Sequence, residues 1–204
     1  MSKKAANSQR LPLVELPISR QQAEDQAYKN LRLINEEGTL KPLMREFMVE
    51  LEQDNTNRAK MNRLKRVADK INAIATPKSA CKAGCSYCCH ISAVITQTEA
   101  DALGAASGRK VKKLTGVATS VEDRMKWFGK PCPFLKNGRC SVYADRPLVC
   151  RMLFNLADSP YFCNTDIPPE ESHVTMLNLQ ELERGYLMAF LTEPWGDIRD
   201  FFPS

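Results

Sequence analysis

Apolar side chains recur at helical spacing in the first 76 residues of this 204-residue chain. The first stripe occupies positions i, i+3, i+4, i+7, i+8 and i+11, which share one face of a helix. Its members are Leu40, Leu43, Met44, Phe47, Met48 and Leu51. A second stripe runs from Met61 to Ile74 and stops before Pro77. Both stripes are typical of helices that pack in a core.

Cap residues extend this prediction towards the N-terminus. Ser19 is a suitable N-cap for a helix that reaches about Asn35 and that Gly38 ends. The polar run Asp54–Asn57 is a plausible break between the two later helices. We therefore predict two or three helices over residues 19–76.

Beyond Pro77 the helical pattern is replaced by shorter elements. Thr96 to Glu99 match the S/T-x-x-E capping box and predict a helix through about Ala106. Asn137-Gly138 predicts a tight β-hairpin. Pro168 and the acidic residues after it predict a helix to about Leu191. The predicted fold class is mainly α, with a small β-hairpin and long irregular loops organised by metal.

These patterns divide the chain into four parts. Residues 1–18 are a flexible N-terminal arm, 19–76 a helical segment, and 77–165 a cysteine-cluster metal-binding domain. Residues 166–204 form an acidic C-terminal helix packed on that domain.

The N-terminal residues contain no apolar stretch of the kind found in secretory signals, and no apolar run approaches the roughly 20 residues that span a bilayer. We therefore expect a cytoplasmic protein with no membrane association. In a reducing compartment, many cysteines indicate metal or redox chemistry more often than a disulfide framework.

The net charge of +5 is unevenly distributed. Basic stretches lie at 58–66 and 109–113, whereas residues 158–204 are acidic. The basic stretches permit binding to nucleic acid, but no aromatic residues interleave them. Solvated helix faces account for them better, so nucleic acid is not favoured as a partner; an unknown protein partner remains open.

Eight cysteines carry the strongest chemical signal, in a chain large enough to fold without them. Thiolates bind zinc or iron–sulfur clusters in sets of four. Cys88 and Cys89 are adjacent, and adjacent side chains diverge, so we expect them to have different roles: two metals in separate or bridged sites, or one ligand and one redox or structural thiol. The candidate ligands are Cys81, Cys85, Cys88, Cys89, Cys132, Cys140, Cys150 and Cys163.

Some of these residues also suit roles away from a metal. A buried cysteine behaves as a small hydrophobic side chain, and Cys163 is the one for which this role fits best. His90 adjoins the cluster and is expected beside a site or at the surface, and His173 at the surface.

The ordered motif resembles the YkgJ-type CxxCxxCC cysteine-cluster family, described as chelating zinc or iron. The resemblance covers about residues 77–165. It rests on Cys81-x3-Cys85-x2-Cys88-Cys89, Cys132-Pro-Phe-Leu and Cys140-x2-Tyr143-x2-Arg146-Pro-x2-Cys150-Arg151.

The resemblance implies that all eight cysteines are metal ligands, and it leaves the metal undecided between zinc and an iron–sulfur cluster. Arg146 and Arg151 could neutralise thiolate charge, or could form ordinary salt bridges.

The sequence thus supports three hypotheses. The first is a metal-binding protein. The second is an iron–sulfur redox or protein-modifying enzyme related to flagellin lysine N-methylase, although no glycine-rich motif for a methyl donor is present. The third is a nucleic-acid or protein-binding module with structural metal. Catalytic residues are not identifiable from the sequence.

Overall fold

A computed structural model describes residues 17–82 and 84–203. The predicted arm over residues 1–18 therefore lies outside the described residues, apart from Pro17 and Ile18. The predicted fold class is confirmed, because the elements are mainly helices accompanied by small antiparallel two-stranded sheets. Across the described part of the chain, none of the helices combines the length and apolar character needed to cross a membrane.

The regular elements are numbered in chain order. The helices are α1 Arg20–Glu36, α2 Leu40–Glu52, α3 Asn57–Ala75, α4 Gln97–Ser107, α5 Val121–Met125, α6 Leu148–Arg151, α7 Gln180–Ala189 and α8 Ile198–Phe201. The strands are β1 Val94–Thr96, β2 Leu135–Lys136, β3 Arg139–Cys140 and β4 Trp195–Asp197. Short 3-10 turns lie at Thr76–Lys78, Tyr87–His90, Tyr143–Asp145 and Tyr161–Cys163.

The first three helices follow the predicted pattern. Ser19 caps α1 in a reciprocal capping box with Gln22, and Thr56 caps α3. The apolar stripes of α2 and α3 face each other in one hydrophobic cluster, in which Phe47 and Leu64 are fully buried. The prediction of helices over residues 19–76 is confirmed.

Thr96 caps α4 as predicted, since its side chain accepts a hydrogen bond from the backbone N–H of Glu99. The carboxylate of Glu99 does not complete a capping box. It is fully buried and accepts hydrogen bonds from the N–H of Leu148 and the hydroxyl of Tyr186 instead.

The predicted hairpin is formed by β2 and β3, which pair Leu135 with Cys140. Asn137 and Gly138 between them both have positive φ, at 51° and 71°. A type I′ hairpin turn requires this conformation at both positions, and Asn-Gly accommodates it with little strain.

The predicted C-terminal helix is wrong in extent. The helix α7 begins at Gln180 instead of Pro168, and the chain after it forms β4, which pairs antiparallel with β1. Residues 168–179 are not helical because long-range pairing uses their backbone. The N–H of Leu156 donates to Thr175 O at 2.7 Å, and that of Leu177 donates to Phe154 O at 3.0 Å. These tertiary hydrogen bonds override the local helical signal.

Two main hydrophobic clusters organise the described residues. The first joins α1–α3 to α7 and includes Phe154 and Trp195. The second lies around β1, α4 and α8, and includes Phe134, Phe201 and Phe202. Cys132, Cys140 and Cys150 pack against the second cluster, so the core fixes where these three thiols lie.

Candidate metal centre

Cys81 and Cys85 lie on the irregular segment that follows α3. The N–H of Ala80 donates to Asn155 O at 2.9 Å, which anchors the start of this segment. The N–H of Cys85 closes a turn on Lys82 O at 3.0 Å. Gly84 has φ of 93°, a conformation that side chains rarely adopt. Glycine here lets the chain turn between the two thiols.

The 3-10 turn Tyr87–His90 carries the adjacent pair Cys88 and Cys89. Cys88 is exposed and Cys89 is partly buried. A hydrogen bond from the Cys89 thiol lowers the pKa of Cys88 to about 7, with Arg146 as a further favourable charge, and raises the pKa of Cys89. The two thiols therefore differ in environment, but the hydrogen bond between them brings their sulfur atoms together, whereas their adjacency led us to expect divergence.

Cys132, Cys140 and Cys150 pack against the second hydrophobic cluster. Cys132 precedes the hairpin, Cys140 is on β3 and Cys150 is on α6. The N–H of Cys132 donates to Cys89 O at 2.7 Å, which joins this region to the 3-10 turn. Burial raises the pKa of Cys132 and, more strongly, that of Cys150.

Cys163 ends the 3-10 turn Tyr161–Cys163, and Asn155 links it to Cys81. The side-chain Nδ2 of Asn155 donates to Cys163 Sγ at 3.2 Å, and its backbone N–H hydrogen-bonds the sulfur of Cys81. Asn155 is 3% exposed, and its Oδ1 accepts from Ala157 N at 3.0 Å. A fixed amide thus lies between two thiols from distant parts of the chain.

The charges of the thiols affect one another in two overlapping sets that share Cys88. Burial first, and then the charges of Cys81, Cys85 and Cys88, raise the pKa of Cys163 to about 12, against the hydrogen bond from Asn155. The pKa of Cys150 is likewise raised by burial and by the charges of Cys88, Cys132 and Cys140. The pKa of Cys89 is raised by its hydrogen bond to Cys88 and by burial, and to a smaller extent by the charges of Cys132 and Cys150. Cys88 lies within the range of both groups, since its charge acts on Cys81 and on Cys150.

We call Cys81, Cys85, Cys88 and Cys163 the first thiol group, and Cys89, Cys132, Cys140 and Cys150 the second thiol group. Among residues 17–82 and 84–203, no three Cys, His, Asp or Glu side chains converge in an arrangement that could hold a metal ion. The donor chemistry fits zinc or iron–sulfur, but coordination would require the thiols of each group to move closer.

Arg199 on α8 ties the second thiol group to the core. It is 5% exposed and donates to Cys89 O at 3.1 Å, Lys130 O at 2.6 Å and Pro131 O at 3.2 Å. These carbonyls flank Cys89 and Cys132. The guanidinium therefore holds the two cysteine-bearing segments side by side.

Glu99 supports Cys150 in a comparable way. Its carboxylate accepts from Leu148 N at 2.7 Å, at the first residue of α6, and from the Tyr186 hydroxyl at 2.9 Å. All three residues are buried. The helix that carries Cys150 is thereby fixed to α4 and α7.

One family model matches this region of the chain. The match spans residues 80–166, and the description of the family is "Putative zinc- or iron-chelating domain". Residues 80–166 are similar to this family, and we call this matched region the CxxCxxCC domain. No curated protein and no solved structure matches the chain.

All eight cysteines lie inside the CxxCxxCC domain, but several residues that hold them in place lie outside it. Arg199 and Tyr186 follow the domain. The helix α1 precedes it, and Asn30 Nδ2 donates to Leu156 O and Asp158 Oδ1, both at 2.8 Å. The domain therefore depends on flanking helices for the placement of its loops.

The buried charges around the CxxCxxCC domain are mainly positive. Among the described residues, four cations and two carboxylates are buried: Lys65, Arg146, Arg151, Arg199, Glu99 and Asp197. Arg199 pairs with Asp197 at 2.9 Å, and Arg151 pairs with the more exposed Asp69. The excess positive charge needs anionic partners, and metal-bound thiolates would supply them.

Arg146 and Arg151 have different surroundings. Arg146 stacks over the Tyr143 ring at 3.9 Å, and its charge lowers the pKa of Cys88 after the larger effect of Cys89. Arg151 donates to Ala144 O and Arg146 O and forms the salt bridge to Asp69. Arg151 thus forms an ordinary salt bridge, whereas neutralisation of thiolate charge by Arg146 stays a prediction.

Several basic residues of the two stretches are engaged within the fold. On α3, Lys65 is buried and Arg63 lies 3.6 Å from a carboxylate oxygen of Glu50. In the loop after α4, Arg109 lies over the rings of Phe134 and Phe202. Binding to nucleic acid through these stretches stays a prediction, and these contacts do not favour it.

The two histidines have polar partners other than the thiols. Nδ1 of His90 lies 3.2 Å from Ser86 O, within its own turn. Nε2 of His173 lies 2.9 Å from Glu24 Oε1 on α1. His173 instead helps to dock the segment that carries Cys163.

Sequence reasoning missed Asn155, Glu99, Asp197 and Arg199. Glu99 drew attention only as part of a capping box. Asn155 is a polar residue in the apolar stretch Met152–Ala157, and this is the signal that could have found it, because buried polar groups are almost always hydrogen-bonded.

Proposed function

We propose that the chain binds zinc or iron through its eight cysteines, in two centres of four thiolates each. The first thiol group would hold one centre and the second thiol group the other. The observation that carries this proposal is geometric: hydrogen bonds bring cysteines from well-separated loops together. Asn155 joins Cys81 to Cys163, and the N–H of Cys132 donates to Cys89 O at 2.7 Å.

Four thiolates suit either a tetrahedral zinc ion or an iron–sulfur cluster. The division also accounts for the adjacent cysteines, since Cys88 would serve the first centre and Cys89 the second. Adjacent side chains then need not converge on one ion.

The buried charge supports the same proposal. Zinc with four thiolates carries a formal charge of −2, and burying it is costly unless cations lie nearby. Lys65, Arg146 and Arg199 supply such cations, because the charges of Cys150, Cys88 and Cys132 interact with them in that order.

The chain's own residues would orient the ligands. Asn155 directs an amide N–H at Cys163, and Arg199 holds the backbone of Cys89 and of the segment before Cys132. A bound zinc ion or iron–sulfur cluster would supply a cross-link between these loops and, in the iron–sulfur case, an electron-transfer centre.

The compartment follows from the same chemistry. All eight cysteines are free thiols. Metal-binding thiols stay reduced, and do not form disulfides, in a reducing compartment. We therefore infer a cytoplasmic location.

Anaerobic purification followed by elemental analysis and a visible spectrum tests the function. We expect either two zinc ions per chain and no colour, or iron with sulfide and a broad visible absorption band. We also expect all eight thiols to resist alkylation until a chelator removes the metal. Metal-free protein with eight freely reacting thiols, and with no structural change on chelation, would contradict the proposal.

A further inference from the structure

We propose that Asp197 and Arg199 are positioning residues for the second metal centre. The C-terminal strand β4 and helix α8, which lie outside the CxxCxxCC domain, would then be part of that centre. This inference rests on the proposed function and extends it to residues that do not touch the metal.

Arg199 bridges two cysteine-bearing segments with one planar group. Its Nη2 donates to Cys89 O at 3.1 Å and to Lys130 O at 2.6 Å, and its Nε donates to Pro131 O at 3.2 Å. Its Nη1 donates to Ile91 O at 3.2 Å and to Asp197 Oδ1 at 2.9 Å. A guanidinium can satisfy acceptors on several sides at once, whereas an ammonium is a point charge on a flexible stem.

Asp197 fixes Arg199 and the strand that follows Cys89. Its Oδ1 accepts from Arg199, and its Oδ2 accepts from Ala93 N at 2.8 Å and Ser92 Oγ at 2.9 Å. Asp197 is 2% exposed. A buried carboxylate with this many donors holds one arrangement, because loss of any partner leaves a buried polar group unsatisfied.

The consequence falls on Cys89 and Cys132. The N–H of Cys132 donates to Cys89 O at 2.7 Å, and Arg199 binds the same carbonyl oxygen and the carbonyls of Lys130 and Pro131. The relative position of the two thiols is therefore set by this hydrogen-bonded junction. The partners of Arg199 lie next to the second thiol group, so its effect should be confined to that group.

The test uses the full chain and the Arg199→Lys variant, each stripped of metal and titrated anaerobically with Zn²⁺. Alkylation followed by mass spectrometry then reports the protection of each cysteine. We expect Zn²⁺ affinity at the second thiol group to fall about 10–100-fold, as for other residues that orient metal ligands. Cys89, Cys132, Cys140 and Cys150 should become reactive, while the first thiol group stays protected.

Two further variants separate positioning from general loss of stability. Asp197→Asn keeps the size of the side chain but replaces one acceptor by a donor, so it should weaken the same group selectively. Leu64→Ala, in the core of the helical segment, should lower stability without selective exposure of the second thiol group. Full protection of all eight thiols in both Arg199→Lys and Asp197→Asn, at wild-type affinity, would overturn the proposal.

A measurement on the wild-type chain covers the case in which the variants do not fold. Hydrogen exchange should slow on Zn²⁺ loading at the amides of residues 195–199 more than at those of α7. Equal exchange rates at residues 195–199 in the metal-free and Zn²⁺-loaded chain would overturn the inference. Failure of the wild-type chain to bind both Zn²⁺ and iron would instead contradict the proposed function, so the two failures are distinguishable.

Discussion

The two thiol groups differ in what holds them before any metal binds. Three thiols of the second thiol group pack against the hydrophobic cluster of Phe134, Phe201 and Phe202, and Arg199 fixes the backbone of the fourth, Cys89. The first thiol group lies on irregular loops and 3-10 turns, and its Cys88 is exposed. Asn155 is its principal buried polar support.

This difference shows how one domain can combine thiols on a core-packed scaffold with thiols on adaptable loops. Residues that pack against the core lose their conformational entropy when the chain folds. The second thiol group has therefore incurred most of this entropic cost before metal binds. Loops that order only on binding incur that cost when the metal arrives. We therefore expect the second thiol group to bind metal more tightly and to contribute more to stability.

The largest expected effect is that of replacing one ligand in each group. Cys150→Ser should abolish metal binding at the second thiol group and destabilise the fold by more than about 4 kcal/mol, because loss of a structural metal is among the most damaging changes. Cys85→Ser should abolish binding at the first thiol group at a lower cost of about 1–3 kcal/mol, because its loop is outside the core. Metal content and urea unfolding of the two variants measure both quantities.

Ser86→Ala, in the turn beside Cys85, is the matched control and should retain both metals. Equal losses of stability in the two cysteine variants would remove the proposed difference between the groups. Unchanged metal content in both would refute the assignment of these thiols as ligands.

A smaller and more selective effect is expected from Asn155→Asp. The substitution preserves the shape of the side chain. It replaces Nδ2, which donates to Cys163 Sγ at 3.2 Å, by a negatively charged carboxylate oxygen. Repulsion between the carboxylate and a thiolate should lower metal affinity at the first thiol group by about tenfold or more, with the second thiol group unaffected. Competition with a chromogenic chelator, combined with site-resolved alkylation, measures this.

Asn178→Asp, in the segment before α7, adds the same charge far along the chain from the cysteines and serves as the control. Loss of metal from both groups in Asn155→Asp would show that the groups are one coupled centre. No change in either would show that the Asn155 amide does not support the site.

Local patterns predicted the elements that depend on local interactions. The stripes of α2 and α3, the caps at Ser19 and Thr96 and the Asn-Gly turn all act within a few residues, and each is found in the structure. The order of cysteines also located the candidate site, because thiols in that density have little other use in a core of this size.

The elements that sequence missed depend on long-range contacts. The helix predicted from Pro168 is replaced by pairing of residues 175–177 with 154–156, and β4 pairs with β1 across about half of the chain. Arg199 and Asn155 likewise act on cysteines that are distant in sequence or belong to another segment. The proposed grouping of the thiols rests on such contacts, which spacing alone does not reveal.

The smallest expected effect is a difference in thiol reactivity between the two groups in the metal-free protein. The hydrogen bond from Cys89, and to a smaller extent a backbone hydrogen bond and the charge of Arg146, lower the pKa of Cys88 to about 7 against the effect of burial. Burial raises the pKa values of Cys150 and Cys163. Because the thiolate is the nucleophile, Cys88 should react with iodoacetamide first at neutral pH, and its rate should rise to half its plateau near pH 7.

Arg146→Gln should move this profile of Cys88 to higher pH, since removal of a nearby cation disfavours the thiolate. Arg139→Gln, on the exposed hairpin, is the matched control and should leave the profile in place. Alkylation rates for each cysteine, followed by mass spectrometry between pH 5 and about 10, measure both variants. If Cys150 reacted as early as Cys88, the second thiol group would be as accessible as the first, and the contrast between a core-held group and a loop-held group would fail.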